Sequence, residues 1–435
     1  MSGMRMLLED IIADFRERPL PLLTPREVRL PALKGKIDAV IGMRRSGKTW
    51  FLYQRMQALL DQGIAKDRLL YINFDDERLL PMRRDELSAI PEVYYRLYPH
   101  NRSQTCYFFC DEIQNVDGWE SFLRRLLDTE DVQLAVTGSS ARLLSREIAT
   151  SLRGRALATE IFPFSFREAL RFQGVALPDE PPGGQQRALL ANRLRDYLLQ
   201  GGFPEVQGIE APYRHAILQE YVDVVILRDV VERHGVANVA ALRYLIRHLL
   251  GAPATLFSIN RFHNDLKSQG IACGKNSLHA YLDHLIDAYL IDLVPIHSRS
   301  LRQQQVNPRK AYVIDTGLAL AFRHQAQIDR GRLLENLVFN ALRRQGQSIT
   351  YFRSADCYEV DFHAVARDGV VQLIQVCESL HDPDTRAREL RALTAALREC
   401  GLPRGSIVTL EDSEQIDQDG LCIDVLPAWR WLVAR

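Results

Sequence analysis

Gly42-Met43-Arg44-Arg45-Ser46-Gly47-Lys48-Thr49 has the spacing G-x-x-x-x-G-K-T and directly follows the apolar run Ile37-Asp38-Ala39-Val40-Ile41. A helix-like run, Trp50 to Leu60, comes next. Glycines at this spacing let the backbone wrap a phosphate, so that amide N–H groups and the positive end of the following helix face anionic oxygens. The pattern predicts a nucleoside triphosphate site, with Gly42, Arg45, Ser46, Gly47, Lys48, Thr49 and Trp50 as its contacting positions. Lys48 is expected to reach the β- and γ-phosphates and Thr49 to ligate Mg²⁺. A glycine turn of purely structural role is the competing reading, and the strand before it and the helix after it weigh against it.

Working outward, Cys106-Tyr107-Phe108-Phe109-Cys110 is an unbroken apolar run that ends in Asp111-Glu112. Strands buried on both faces of a parallel sheet read this way. A carboxylate at the carboxyl end of such a strand lies in the crevice where ligands bind. Asp111 is therefore expected to hold Mg²⁺ through water, and Glu112 to polarise the attacking water. Leu69 to Phe74, Val132 to Thr137 and Ala156 to Ile161 are further strand-like runs, alternating with helical stretches between about Ile37 and Phe166. This order predicts an α/β fold with a parallel sheet and helices on both faces. The strands ending at Glu112 and Thr137 are expected as neighbours of the phosphate-loop strand. Ser139, or in second place Thr137, would stand between nucleotide and water, although a hydroxyl there also serves as a helix N-cap.

The chain has 435 residues, 46% hydrophobic and 25% charged, which is the composition of a soluble globular protein of about three domains. Lys plus Arg and Asp plus Glu number 55 each, so no global field draws the molecule to nucleic acid or membrane. Any nucleic-acid site must be a local patch. Met1 to Pro31 lacks a signal-peptide core, and no stretch approaches the roughly 18 apolar residues of a membrane span. A cytoplasmic location without membrane contact is expected. The seven cysteines include no C-x-x-C pair, and Cys106 and Cys110 read as core thiols. The histidines show no zinc spacing, so no structural metal site is expected.

Residues 178–186 form a Pro- and Gly-rich connection without apolar period. The expected divisions are a nucleotide-binding core at 1–175, a helical region at 188–325 and a final domain at 326–435. Leu256 to Ile314 has the order of a winged helix: one helix starts at Ser258-Ile259-Asn260, a second runs from Leu278 to Ala288, and Tyr289 to Ile296 forms the wing. Lys267, Lys275, Arg299, Arg302, Arg309 and Lys310 cluster around it and are candidate phosphate contacts. Beyond Gly331 the order is α-β-β-β-α-β, with its last strand at Ser406 to Leu410.

Taken together, these motifs resemble a family of prokaryotic AAA+ ATPases, relatives of the archaeal-type and signal-transducing ATPases. The resemblance rests on Gly42 to Thr49, Tyr71 to Asp76, Phe109 to Glu112, Thr137 to Ser140, Gly154-Arg155, Pro163 to Glu168 and Gly201-Gly202-Phe203-Pro204. It implies ATP and Mg²⁺ as cofactors and a P-loop AAA+ core. It also implies a turn that lays Pro204 over the adenine, and an arginine finger, Arg153 or Arg155, that reaches a neighbouring subunit's γ-phosphate. A simple ion pair is the other reading of either arginine. A finger in trans requires a homo-oligomer, and a hexameric ring is the form expected.

The last domain resembles the restriction-endonuclease-like fold, whose active members align a helix glutamate, a strand aspartate and an E-x-K around Mg²⁺. Glu335 and Glu359-Val360-Asp361 match, but the last part reads Gln375-Val376-Cys377, without carboxylate or lysine. The expectation is an inactive module that binds DNA or joins subunits. The leading functional expectation is an ATP-driven motor or remodeller acting on DNA, branched or forked DNA included. A signalling or defence switch with a protein partner is the alternative, and an ATP-dependent nuclease is the third.

Overall fold

The structure, a computed structural model, describes residues 2–138, 154–178, 181–323 and 329–434. It divides into two compact units, Met1–Phe162 and Pro163–Arg435.

The first unit contains α1 (Ser2–Glu17), β1 (Ile37–Ile41), α2 (Lys48–Asp61), β2 (Leu69–Asn73), α3 (Ala89–Leu97), β3 (Cys106–Asp111), α4 (Trp119–Thr129), β4 (Val132–Thr137) and β5 (Ala156–Glu160). The strands form one sheet in the order β2-β3-β4-β1-β5, every pair parallel. All carboxyl ends therefore share one edge, which brings the turn after β1 beside the ends of β3 and β4. β1 is buried at each of its five residues, as a central parallel strand must be. α2 repeats buried residues at helical spacing, and Phe51, Leu52, Met56 and Leu59 pack on Val40, Phe109, Ala135 and Ile161. Each such side chain stabilises the layer by roughly 1.5–3 kcal/mol. Cys106 and Cys110 are buried within β3, as core thiols are.

One expectation about this sheet needs correction. β1 pairs with β4 and β5, whereas the strand that ends at Glu112, β3, pairs with β2 and β4. Apolar runs identify a buried parallel strand but not its neighbours, because the ladder is made by backbone groups common to all residues. The consequence is useful: the Thr137 strand stands between the phosphate-loop strand and the acidic one.

The second unit opens with α5 (Phe166–Phe172), capped by a reciprocal Ser165–Glu168 box. Next come α6 (Gly184–Gln200), α7 (Ala211–Val224), a π-helical turn (Val225–Glu232) and α8 (Val239–Leu250). A small antiparallel sheet, order β6-β8-β7, is built from β6 (Thr255–Phe257), β7 (Ile291–Val294) and β8 (Arg309–Val313). Between these strands lie α9 (Ile259–Ser268), α10 (Lys275–Asp287) and α11 (Leu301–Val306). The expected helix start at Ser258 is seen, its side chain accepting from Arg261 N. α12 (Thr316–Ala321) and α13 (Arg330–Arg344) follow.

A six-stranded mixed sheet, order β13-β14-β12-β11-β10-β9, completes the unit. Its members are β9 (Ser348–Arg353), β10 (Glu359–Val365), β11 (Val371–Val376), β12 (Arg404–Thr409), β13 (Glu414–Gln418) and β14 (Leu421–Pro427). α14 (Pro383–Cys400) lays Ala392, Leu393, Ala396 and Leu397 on the sheet, and α15 (Ala428–Val433) closes the chain's described part. The strand expected as last is thus followed by two more. β13 escaped notice because it is a polar, solvent-facing edge strand without an apolar run. Among the described residues, no helix is long and apolar enough to cross a membrane.

Candidate nucleotide site

The loop between β1 and α2 takes its shape from two glycines. Gly42 has φ 144°, and a Cβ there would meet Ile161 O at 2.3 Å; Gly47 precedes α2 at φ 100°. Neither conformation suits an L side chain. Ser46 is fully buried, and its Oγ has no hydrogen-bond partner among the described residues. An orphaned buried hydroxyl inside a glycine turn at a helix N-terminus fits a phosphate oxygen. Lys48 is only 5% exposed; its ammonium donates to Gly42 O and Met43 O, both at 3.2 Å, and stands 3.9 Å from Glu112 Oε1. Arg45 and Trp50 are exposed, and Trp50 meets Tyr53 edge-on.

The acidic wall is a network rather than a pair of side chains. Asp111 is 1% exposed. The Thr137 hydroxyl donates to Asp111 Oδ1, and the Tyr71 hydroxyl donates to Oδ2 at 2.9 Å. Burial pushes the Asp111 carboxyl above its ordinary range; hydrogen bonds from Thr137, Thr49 and Tyr71 oppose this, while the neighbouring Glu112 charge adds to it. A bound cation would relieve such a group directly. The backbone N–H of Glu112 donates to Thr137 Oγ1 at 2.8 Å, so one buried hydroxyl holds both acidic residues. Glu112 takes φ 53°, and Gln114 Nε2 donates to its Oε2 at 2.5 Å. Thr49 and Asp111, the expected Mg²⁺ residues, lie close enough for the Thr49 hydroxyl to lower the pKa of the Asp111 carboxyl.

Arg26 was not anticipated. Its guanidinium donates to Ser46 O at 2.9 Å and to Phe162 O, and its backbone exchanges hydrogen bonds with the Gln54 amide at 2.7 and 3.2 Å. It clamps the phosphate loop to the chain leaving β5. Arg26 lies in an irregular segment without period, and nothing in the local sequence marks it.

Other expected residues lie elsewhere. Ser139 and Arg153 fall outside the described residues. Arg155 precedes β5 at the amino end of the sheet, opposite the phosphate loop, and pairs with Asp128 at 2.5 Å. Pro204 belongs to the second unit, where it opens a short 3-10 turn. The preceding glycines are locked: Gly202 N donates to Asp315 Oδ2 at 2.6 Å, and a Cβ on Gly202 would meet Phe164 O at 2.2 Å.

Among the basic candidates, Lys267, Lys275, Arg299, Arg302 and Arg309 are exposed. Lys310 is not, and the expectation for it is corrected. It is 4% exposed, donates to Asp361 Oδ1 at 2.7 Å and Glu335 Oε1 at 3.0 Å, and forms an ion pair with Glu359 Oε1 at 2.9 Å. Strand alternation turns Arg309 outward and Lys310 inward. Gln375 accepts from Asp361 N at 3.2 Å and donates to Glu389 Oε2 at 2.5 Å.

Comparison with known proteins places these features in context. Residues 34–170 match an AAA domain, and residues 191–329 and 330–431 match two domains of unknown function, DUF8612 and DUF4143. The uncharacterized protein MJ1544 of Methanocaldococcus jannaschii is 34% identical over 445 residues, covering 99% of this chain and 96% of its own. A Haemophilus influenzae protein is 29% identical over 351 residues, 80% of this chain and 85% of that one. Among solved structures, the Walker-type ATPase paby2304 of Pyrococcus abyssi aligns with TM-score 0.42 and 14% identity over 73% of this chain and 95% of that one. The ADP form of the Aeropyrum pernix ORC2 protein aligns with TM-score 0.30 and 15% identity over 67% and 85%.

Proposed function

Since the chain belongs to the family of AAA-domain proteins that includes MJ1544, and its first unit has the P-loop AAA+ fold, we propose that this unit binds ATP with Mg²⁺ and hydrolyses the ATP. The observation that carries the reading is the Thr137 hydroxyl held between Asp111 and the Glu112 backbone, with the Glu112 carboxylate 3.9 Å from the buried Lys48 ammonium. Backbone N–H groups from Gly42 to Thr49 hold the phosphates, with Ser46 Oγ and the Lys48 ammonium as side-chain donors. Lys48 exchanges loop carbonyls for phosphate oxygens. Thr49 and Asp111 would hold Mg²⁺, which when bound would neutralise phosphate charge. Glu112 takes the proton of the attacking water, and Thr137 fixes both acids for that step. Ser139 is assigned the sensing position. Arg153 or Arg155 is assigned the finger in trans, which calls for a ring-like oligomer. The Arg155–Asp128 pair is exposed, worth about 0–1 kcal/mol, and is readily given up on assembly.

The work done with ATP is assigned to DNA. Support comes from the second unit, where helices α9 and α10 and the sheet β6-β8-β7 follow a winged-helix order and carry the exposed Lys267, Lys275, Arg299, Arg302 and Arg309. A protein partner is the second reading, favoured by Leu301 and Val306, which are 74% and 76% exposed on α11 between those arginines. ATPase rates with single-stranded, duplex and forked DNA test the choice. Stimulation by DNA is expected; a rate indifferent to every DNA form would remove the motor reading and leave the switch.

A further inference from the structure

The restriction-endonuclease-like resemblance of the last domain implies a divalent cation between Glu335 and Asp361, and the residues present do not fit one. We infer that Lys310 is the resident cation of this cluster: a tethered ammonium that fills the place of the metal and shuts divalent ions out. The inference stands apart from the ATPase reading, since every group involved lies in the second unit.

The geometry is that of an ammonium site. An ammonium has three N–H donors, and Lys310 Nζ meets three carboxylates, Asp361 at 2.7 Å, Glu359 at 2.9 Å and Glu335 at 3.0 Å. The contacts to Asp361 and Glu335 are charge-assisted N–H···O bonds and that to Glu359 is an ion pair, whereas Mg²⁺ binds oxygen at roughly 2.0–2.1 Å. Among the described residues, no three His, Cys, Asp or Glu side chains are gathered as a metal would require. The carboxylates have further partners. Asp361 Oδ2 accepts from Val376 N at 2.9 Å, Glu335 Oε1 also accepts from the Tyr312 hydroxyl at 2.7 Å, and Glu359 Oε2 accepts from Arg353 at 3.3 Å. Gln375, at the position of a working site's next carboxylate, spends its amide on Asp361 N and Glu389.

The tether is stiff. Lys310 sits on the central strand of its sheet, opposite Leu256 of β6 and Val294 of β7. Further along β8, Asn336 of α13 brackets Val313, accepting from its N–H and donating to its carbonyl, both at 2.8 Å. The backbone that carries the ammonium is thus held on both sides, and the side chain is buried. The carboxylates are shaped around it: the pairing of β9 with β10 shifts register between Val360 and His363, so a bulge sits at Asp361. Burial first, and the Asp361 charge second, raise the Glu335 carboxyl, while the three acids hold Lys310 protonated despite its own burial. A second cation would find both oxygens of Asp361 and of Glu359 and one of Glu335 already bonded, and would face a fixed positive charge.

Terbium(III) luminescence tests this, because Tyr312 touches Glu335 and would sensitise an ion bound there. Lys310→Met should gain a saturable signal absent from wild type and lost again in Lys310→Met/Asp361→Asn, a control that also removes any contribution of the phosphate-loop site. An Asp361-dependent signal in wild type, or none in a folded Lys310→Met protein, would overturn the inference. Wild-type protein gives an independent readout if the variant fails to fold. Under acetylation by an N-hydroxysuccinimide ester with peptide mapping, Lys267 and Lys275 should react and Lys310 should not, with or without Mg²⁺ or Mn²⁺. Lys310 labelling that appears when metal is added would show displacement and sink the proposal.

Discussion

Replacing Thr137 by Val keeps the shape of the side chain and removes one hydroxyl from the centre of the candidate catalytic network. Thr137 is fully buried; its Oγ1 donates to Asp111 Oδ1 and accepts from Glu112 N at 2.8 Å. Valine leaves that N–H and one lone pair of Asp111 unsatisfied in a buried site. At about 1–3 kcal/mol for each of the two stranded groups, the fold should lose about 2–6 kcal/mol, the smaller figure if Tyr71 tightens its bond to the other oxygen. The effect on turnover is separate. Glu112 takes a left-handed backbone conformation, φ 53°, held partly by the lost bond. If its carboxylate drifts, part of the roughly 10²–10⁴-fold owed to a positioned base is lost, and a fall of about 10–100-fold in kcat is expected. Nucleotide affinity should hardly change, because the donors to the phosphates lie on the other loop. Thr137→Ser should recover most of the rate, since it restores the hydroxyl and lacks only a methyl group. The assay is steady-state phosphate release at saturating ATP, with nucleotide titration and a melting curve for each variant. Wild-type kcat in a folded Thr137→Val protein would refute the idea that this hydroxyl positions the acids.

Lys48→Ala should abolish ATP binding, whereas Glu112→Gln should bind ATP and fail to turn it over; wild-type turnover in Glu112→Gln, read by phosphate release, would remove that residue as the base. DNA affinity should fall steeply with salt, and Arg299→Ala, Arg302→Ala and Arg309→Ala together should flatten the log–log slope by up to about 2.7, at about 0.9 per phosphate contact. Lys310→Ala should leave that slope unchanged, since the side chain is buried. Burial pushes the Asp315 carboxyl from 3.8 up to about 6, against backbone hydrogen bonds from Gly202 and Leu318. The folded state therefore holds this proton more tightly than the unfolded chain, and the group's contribution is fully present below 3.8 and lost as pH rises through about 6. The change amounts to at most about 3 kcal/mol. Asp315→Asn should flatten this part of the stability–pH curve, measured by chemical denaturation between those limits.

What was legible in the sequence depended on whether the physics was local. The phosphate loop is local: glycine spacing, a strand before and a helix after fix the backbone, and the lysine and threonine follow by position. Asp111 and Glu112 were legible because a buried strand has to end somewhere, and in a parallel sheet that end is the ligand edge. Thr137 shows where this stops. Its chemistry was visible but its rank was not, because the bond to Asp111 spans 26 positions and depends on β4 lying beside β3. No period in one strand reports its neighbour. Arg26 reaches Ser46 and Phe162 from a segment without regular structure, so even its orientation left no trace. Lys310 is the instructive error. Counting basic residues measures charge, not direction, and in Arg309-Lys310-Ala311-Tyr312 the lysine shares its strand face with a fully buried tyrosine. Alternation with that aromatic was the available signal that the ammonium points inward. Its partners at 335, 359 and 361 come from elements 25 to 51 residues away, and only the fold could bring them together. The same principle explains why a domain can resemble a nuclease in sequence without offering a metal site: motif spacing specifies which carboxylates converge, while a residue outside the motif decides what they converge on.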